Sequence, residues 1–110
     1  MKLLNDIYKK KYEILYLKGL INYTEIHGSN NELIISSYSL HIVQANLNHR
    51  CFLRVNKSFV INSTRIKDIR YEANRLFVVL TNDKEFAVSR RRVKEFETAM
   101  NLQKEYGVLS

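Results

Sequence analysis

Short hydrophobic runs separated by polar breaks recur along most of the chain. Residues 13–18 are rich in β-branched and aromatic side chains and end at Gly19, which predicts a strand followed by a turn. Two further runs, residues 23–26 and 32–35, flank a loop at residues 27–31. That loop contains glycine and asparagine, which tolerate a positive φ, so the two runs predict a β-hairpin.

The second half of the chain continues the strand-like pattern. Its runs are residues 52–55, 59–61, 66–71, 76–80 and 85–88. A polar, basic loop at residues 56–58 separates the first two runs. The last three runs are joined by residues 72–75 and 81–84, which predicts a three-stranded meander.

Two segments have the i, i+3, i+7 spacing of an amphipathic helix. Their hydrophobic positions are Leu40, Val43 and Leu47 in the first segment and Val93, Phe96 and Met100 in the second. Ser37 or Ser39 is available as an N-cap for the first helix, and Ser89 for the second. Because strands and helices do not alternate as in a parallel sheet, we predict a mainly β fold of antiparallel sheets with one short inserted helix and a C-terminal helix.

Length and charge narrow the class of protein. A chain of 110 residues, 45% of them hydrophobic, is large enough for one globular domain with a single core. The net charge of +7 indicates an acidic partner such as nucleic acid or a membrane surface. The positive charge is concentrated in residues 1–11, 48–70 and 90–94.

Several classes of site have no support in the sequence. No run approaches the roughly 20 apolar residues that span a bilayer, and the N-terminus has no signal-peptide pattern, so we expect a cytoplasmic protein. Cys51 is the single cysteine, and we expect a buried free thiol. His27, His41 and His49 lack metal-ligand spacing. Without a nucleophile elbow or a phosphate-binding loop, we expect no metal, no cofactor, no small-molecule substrate and no enzymatic activity.

Three stretches together resemble the core pattern of the LytTR family. The pattern is approximately F-x-R-x-H-x-S-x-x-V-N, then I, then V-S-R-R. Three stretches of this chain follow the pattern in order and spacing: residues 52–62 (FLRVNKSFVIN), 66–69 (IKDI) and 86–96 (FAVSRRRVKEF). Residues 14–18 resemble the opening strand of the family, so the resemblance covers residues 13–97. Asn56 stands where family members often have His, and Ile61 where Val is usual.

The resemblance implies an elongated arrangement of antiparallel sheets that binds DNA through loops inserted into successive major grooves. It implies a bacterial transcription factor or the output domain of a response regulator. Relatives typically recognise paired direct repeats, which implies two copies on one face of the DNA, as a homodimer on DNA with or without a stable dimer in solution. The resemblance also implies a sensor or membrane partner. Residues 13–105 would form the DNA-binding domain, with a basic segment at 1–12 and a tail at 106–110.

The resemblance also assigns candidate DNA contacts to three loops. They are His27, Asn30 and Asn31 in the first hairpin loop, Arg54, Asn56 and Lys57 around the second loop, and Arg90, Arg91 and Arg92 in the third. The favoured contact in each loop is Asn31 in the first, either Asn56 or Lys57 in the second, and Arg91 with Arg90 in the third. These residue types suit the task, because Arg can bond guanine and Asn can bond adenine through two hydrogen bonds in the major groove. Backbone N–H groups at a helix N-terminus also attract phosphate.

Other interpretations of the same residues stay open at this point. Arg90–Arg92 also fits a solvated helix start, and Arg54 an exposed strand residue or an ion pair. We predict that Ser58 and Asn62 are structural and shape their loops through hydrogen bonds to the backbone. The alternative function is a non-enzymatic interaction module whose basic face binds RNA or an acidic protein.

Overall fold

The structure is a computed structural model, and it describes residues 13–47 and 50–102. The predicted basic segment at residues 1–12 and the predicted tail at residues 106–110 lie outside the described residues. The boundaries proposed for the domain therefore stay predictions.

Five strands form the first sheet. They are β1 (Ile14–Gly19), β2 (Thr24–Gly28), β3 (Leu33–Ser36), β4 (Phe52–Arg54) and β5 (Phe59–Asn62). The sheet is antiparallel throughout, in the order β3-β2-β1-β5-β4. β1 lies at its centre, where residues 14 to 17 are all buried because both faces of the strand are covered.

The predicted meander is confirmed as a second sheet of three antiparallel strands. They are β6 (Ile66–Glu72), β7 (Arg75–Leu80) and β8 (Glu85–Val88). Ala73 and Asn74, between β6 and β7, both have positive φ, at 51° and 65°. Two such residues in succession are typical of a type I′ turn, whose twist matches that of the flanking strands.

Both predicted helices are present, as α1 (Leu40–Leu47) and α2 (Arg90–Ala99). Ser39 precedes α1, and its carbonyl accepts a hydrogen bond from Val43 N at 3.0 Å. Ser89 occupies the N-cap position of α2, where its carbonyl, and not its side chain, accepts a hydrogen bond from Arg92 N.

The core has two layers, one on each face of the first sheet. The first layer packs the hydrophobic side of α1 against the sheet, and its members are Ile14, Leu17, Ile26, Leu40, Val43, Leu47, Cys51, Phe52 and Val60. The second layer packs the second sheet and α2 against the opposite face, and it includes Leu15, Tyr16, Ile61, Val78, Phe86 and Phe96. Cys51 is buried and forms no disulfide bond, as predicted. The molecule is elongated, measuring 48 × 25 × 21 Å.

Two residues predicted to lie in a loop, His27 and Gly28, lie in a strand. β2 continues through Gly28, so His27 belongs to the sheet and the loop is shortened to residues 29–32. The His27 ring stacks on Tyr16 with a centroid distance of 4.4 Å, and its Nε2 lies 2.9 Å from a carboxylate oxygen of Glu25. These contacts stabilise the extended backbone that the sequence pattern did not indicate.

None of the helices among the described residues has the length and apolar character needed to cross a membrane.

Candidate nucleic-acid interface

β1 places two of the predicted DNA-contacting loops at opposite ends of the first sheet. Its first residue, Ile14, pairs with Gly28, which immediately precedes residues 29–32. At the other end of β1, Gly19 donates its N–H to the carbonyl of Ser58 at 2.7 Å. A strand of six residues is about 17–20 Å long, so the two loops are separated by roughly that distance.

The loop that contains Ser58 is joined to the start of α2. The amide of Ser89 donates to the carbonyl of Val55 at 2.8 Å. The side-chain Nδ2 of Asn56 donates to the carbonyl of Ala87 at 2.9 Å. Together with the β1–β2 turn next to Gly19, these loops lie at one end of the molecule. We call this region the basic end, defined as residues 20–23, 56–58 and 89–92.

Arg54 and Asn56 shape the loop at residues 56–58 from within. Asn56 Oδ1 accepts hydrogen bonds from the backbone amides of Ser58 and Phe59, at 2.9 and 3.0 Å. Arg54 donates to the carbonyls of Asn56 and Lys57, at 2.8 and 2.6 Å. The guanidinium of Arg54 therefore binds backbone carbonyls, and Lys57 is left as the exposed cation of this loop.

Several positive charges converge at the basic end. Arg90 and Arg91 are exposed, and Arg92 pairs with Glu95 at 3.5 Å, in an exposed geometry that contributes little stability. Burial lowers the pKa of Arg54, and the charges of Arg92 and Arg91 lower that pKa further. The smaller part of this lowering, from Arg92 and Arg91, is repulsion between like charges, and an anion bound among these arginines would relieve it.

The other end carries Asn30 and Asn31. We call it the polar end, defined as residues 29–32 and 81–84, which border one shallow groove through Asn30, Asn31 and Asn82. Asn30 and Asn31 are exposed and have positive φ, at 61° and 62°. At this end Lys67 forms an ion pair with Asp83. The structure thus brings Lys57 together with Arg90–Arg92, but it does not bring Asn30 and Asn31 to them.

Comparison with known proteins places this architecture in a family. Residues 7–101 match the family model of the LytTr DNA-binding domain. The chain belongs to this family. The LytTr DNA-binding domain of a Bacillus cereus protein, described as a methyl-accepting/DNA response regulator, has the same fold, with a TM-score of 0.73 at 21% identity. The match covers 81% of this chain and 82% of that one.

Two curated relatives are transcription and signalling proteins by name. The chain is 35% identical over 65 residues to the sensory transduction protein LytT of Enterococcus faecalis, a stretch that covers 58% of this chain and 27% of LytT. It is 30% identical over 80 residues to the transcriptional regulatory protein LytR of Staphylococcus aureus, covering 72% of this chain and 32% of LytR. The chain therefore spans about a third of the length of these relatives. The resemblance predicted from the sequence is confirmed, and so is the LytTr fold.

The sequence did not indicate that the β1–β2 turn of this LytTr domain belongs to the basic end. Leu20 N bonds to Tyr23 O at 2.8 Å, which closes the turn, and Ile21 at its tip is 98% exposed. Gly19 permits the turn to lie close to α1, because a Cβ atom on Gly19 would stand 3.0 Å from Leu40 Cβ. The glycine was a visible signal for a turn, but only the pairing of β1 with β5 places that turn beside Ser58.

Among residues 13–47 and 50–102, no group of three or more His, Cys, Asp or Glu side chains is arranged to hold a metal ion.

Proposed function

We propose that this LytTr domain binds duplex DNA in a sequence-specific manner through its basic end and thereby regulates bacterial transcription. The observation that carries the proposal is the connection between residues 56–58 and 89–92. Hydrogen bonds from Ser89 to Val55 and from Asn56 to Ala87 hold Lys57 beside three consecutive arginines. Family membership supports DNA as the acidic partner of this surface.

Different residue types at the basic end suit different contacts with DNA. Arg91 is exposed at the start of α2, and a guanidinium there can donate two hydrogen bonds to guanine in the major groove. Lys57 and Arg90 suit phosphate, as do backbone N–H groups at the N-terminus of α2. A loop tip enters a major groove about 12 Å wide, so the domain does not require a recognition helix.

The β1–β2 turn adds an apolar contact beside the cations. Ile21 is exposed next to the loop that contains Lys57, and an aliphatic side chain in the major groove packs favourably on the methyl group of thymine. In this proposal the basic end supplies charge through the arginines and Lys57, and apolar selectivity through Ile21.

The dimensions of the molecule and the names of its relatives support a proposal for the larger assembly. A molecule 48 Å long covers somewhat more than one turn of duplex, which is about 34 Å. We propose that two copies bind paired direct repeats on one side of the DNA. The names of the curated relatives, a sensory transduction protein and a transcriptional regulator, support a sensor partner upstream of this domain.

Selection from a random duplex library tests this proposal. The enriched duplex and a scrambled control are then titrated with the purified chain across salt concentrations. Phosphate contacts weaken both complexes steeply as salt rises, so the affinity ratio between the two duplexes at equal salt measures specificity. We expect a repeated motif and a ratio of at least about a thousandfold.

The opposite outcome is equally informative. Equal and salt-sensitive binding of both duplexes would mean that the basic end attracts phosphate without reading sequence. Tighter binding to single-stranded RNA than to any duplex would favour an RNA-binding module in its place.

A further inference from the structure

The side chain of Asn56 connects the two sheets at the basic end. Its Oδ1 accepts from the amides of Ser58 and Phe59 within the first sheet, and its Nδ2 donates to the carbonyl of Ala87 in the second sheet. Ala87 lies three residues before Arg90, where the arginine run begins. One amide group therefore links the loop that carries Lys57 to the strand that leads into Arg91.

We infer that Asn56 is a positioning residue that sets the spacing between Lys57 and Arg91 and makes no base contact of its own. This inference rests on the proposed function, since it assigns a role within the same DNA-binding surface. It also assigns the two candidates of this loop different tasks, with Lys57 facing the duplex and Asn56 facing the protein.

The hydrogen-bonding capacity of the amide supports this division. An asparagine that recognises adenine needs its oxygen to accept from N6 and its nitrogen to donate to N7. The amide oxygen has two lone pairs, and both are already used by Ser58 and Phe59. The paired contact with adenine is therefore blocked unless the loop at residues 56–58 opens.

The spacing that Asn56 fixes matters because groove contacts tolerate little displacement. Base contacts require geometry held to about 0.5 Å and 10–20°. The shared hydrophobic layer, with Tyr16 and Phe59 against Phe86, holds the two sheets together but consists of non-directional contacts. Directional hydrogen bonds from Asn56 and Ser89 fix the sheets relative to each other, and only the first comes from a side chain that substitution can remove.

Asn56→Asp separates the two functions of the side chain. A carboxylate still accepts from the amides of Ser58 and Phe59, but it cannot donate to the carbonyl of Ala87. Asn22→Asp is the matched control, because Asn22 is an exposed asparagine in the β1–β2 turn at the same end and acquires the same charge. Both variants are titrated with the selected duplex and with its scrambled control, and urea unfolding verifies that each one folds.

We expect Asn56→Asp to lose about tenfold more affinity for the selected duplex than Asn22→Asp loses, whereas affinity for the scrambled duplex falls equally in both. The preference for the base at the Arg91 contact should weaken together with the preference near Lys57. In addition, Arg91→Ala should cost less in the Asn56→Asp background than in the wild type, since the two residues act together.

Two results would overturn the inference. One is a loss of preference at a single base pair with the Arg91 preference intact, which is the signature of a direct base contact by Asn56. The other is equal discrimination by Asn56→Asp and Asn22→Asp. If Asn56→Asp does not fold, Asn56→His replaces it in the experiment. An imidazole can accept a hydrogen bond at one ring nitrogen and donate at the other, so the base preference at the Arg91 contact should persist in Asn56→His.

Amide hydrogen exchange without DNA separates this inference from the proposed function. Loss of the bond to Ala87 should increase exchange in residues 87–92 of Asn56→Asp and leave residues 29–32 unchanged. A wild-type protein that does not discriminate between duplexes refutes the proposed function, whereas unchanged exchange in residues 87–92 refutes the link itself.

Discussion

Two asparagines, Asn56 in the loop before β5 and Asn62 at the end of β5, differ in how well the sequence indicates their roles. Asn62 was expected to be structural, and it is buried, donates to the carbonyl of Ile14 at 2.7 Å and accepts from Thr64. Asn56 was expected, as an alternative to Lys57, to contact DNA, and both of its polar ends bond within the protein. The same residue type suits adenine and a loop backbone equally. The contact of Asn56 with Ala87, 31 residues away, distinguishes these two roles, and the local sequence does not indicate that contact.

Asn62→Ala should lower the free energy of unfolding by about 2–4 kcal/mol, because it leaves the buried carbonyl of Ile14 and the amide of Thr64 without their partners. Equilibrium unfolding in urea measures the change. Thr64→Val is the control: it removes only the exposed hydroxyl that bonds to Asn62, and we expect a loss below about 1 kcal/mol. A cost for Asn62→Ala that is no larger than the control would contradict this account of the buried amide.

Arg91→Ala should cost about 1–3 kcal/mol in binding to the selected duplex and should relax the preference at one base pair. Arg50→Ala is the control, because it removes the same charge from another exposed arginine. Arg50 lies at the opposite end of the first sheet from residues 89–92: the carbonyl of its neighbour Cys51 accepts from Ser63 N, and Asn62 next to Ser63 bonds to Ile14 at the start of β1. We expect this control to keep the full base preference. The contact assigned to Arg91 is wrong if both variants lose affinity equally for selected and scrambled duplexes.

At the level of elements, the sequence predicted the type and approximate length of each strand and helix better than it predicted their boundaries. Hydrophobic spacing indicated the strands and both helices because the buried positions of each element repeat at its own period. β2 runs further than expected because His27 stacks on Tyr16, and β4 ends at Arg54 because the next residue, Val55, bonds to Phe59 and begins the turn. Both boundaries depend on partners outside the element itself.

Ala73→Gly should stabilise the β6–β7 hairpin. The left-handed conformation at Ala73 (φ 51°) costs an L-residue about 1–2 kcal/mol, and glycine avoids this cost but loses more entropy on folding. The net gain in the free energy of unfolding should be about 0.5–1 kcal/mol, measured by thermal or urea unfolding. Ala45→Gly, at an exposed position inside α1, should lower the same quantity by about 1 kcal/mol. A destabilising Ala73→Gly would show that the turn is not strained.

At the level of the whole molecule, the sequence indicated the family, the fold class and the basic loops, but not which loops meet. The charge of residues 48–70 and 90–94 marks two basic segments, and family spacing marks the strands between them. The assignment of residues 29–32 to the polar end depends on the pairing of β1 with both β2 and β5. The pairing of β1 with β5 joins residues more than 40 positions apart, so no local pattern contains it. The contact of Asn30 and Asn31 with DNA stays a prediction.

Amide hydrogen exchange of the domain with and without the selected duplex tests the central claim most directly, because it locates the bound surface without any substitution. The account predicts slower exchange in the bound state at residues 20–23, 56–58 and 89–92, and additional protection at residues 29–32 would support the predicted contact of Asn30 and Asn31. Protection at residues 29–32 with none at residues 56–58 and 89–92 would contradict it, since the polar end would then be the surface that meets the DNA.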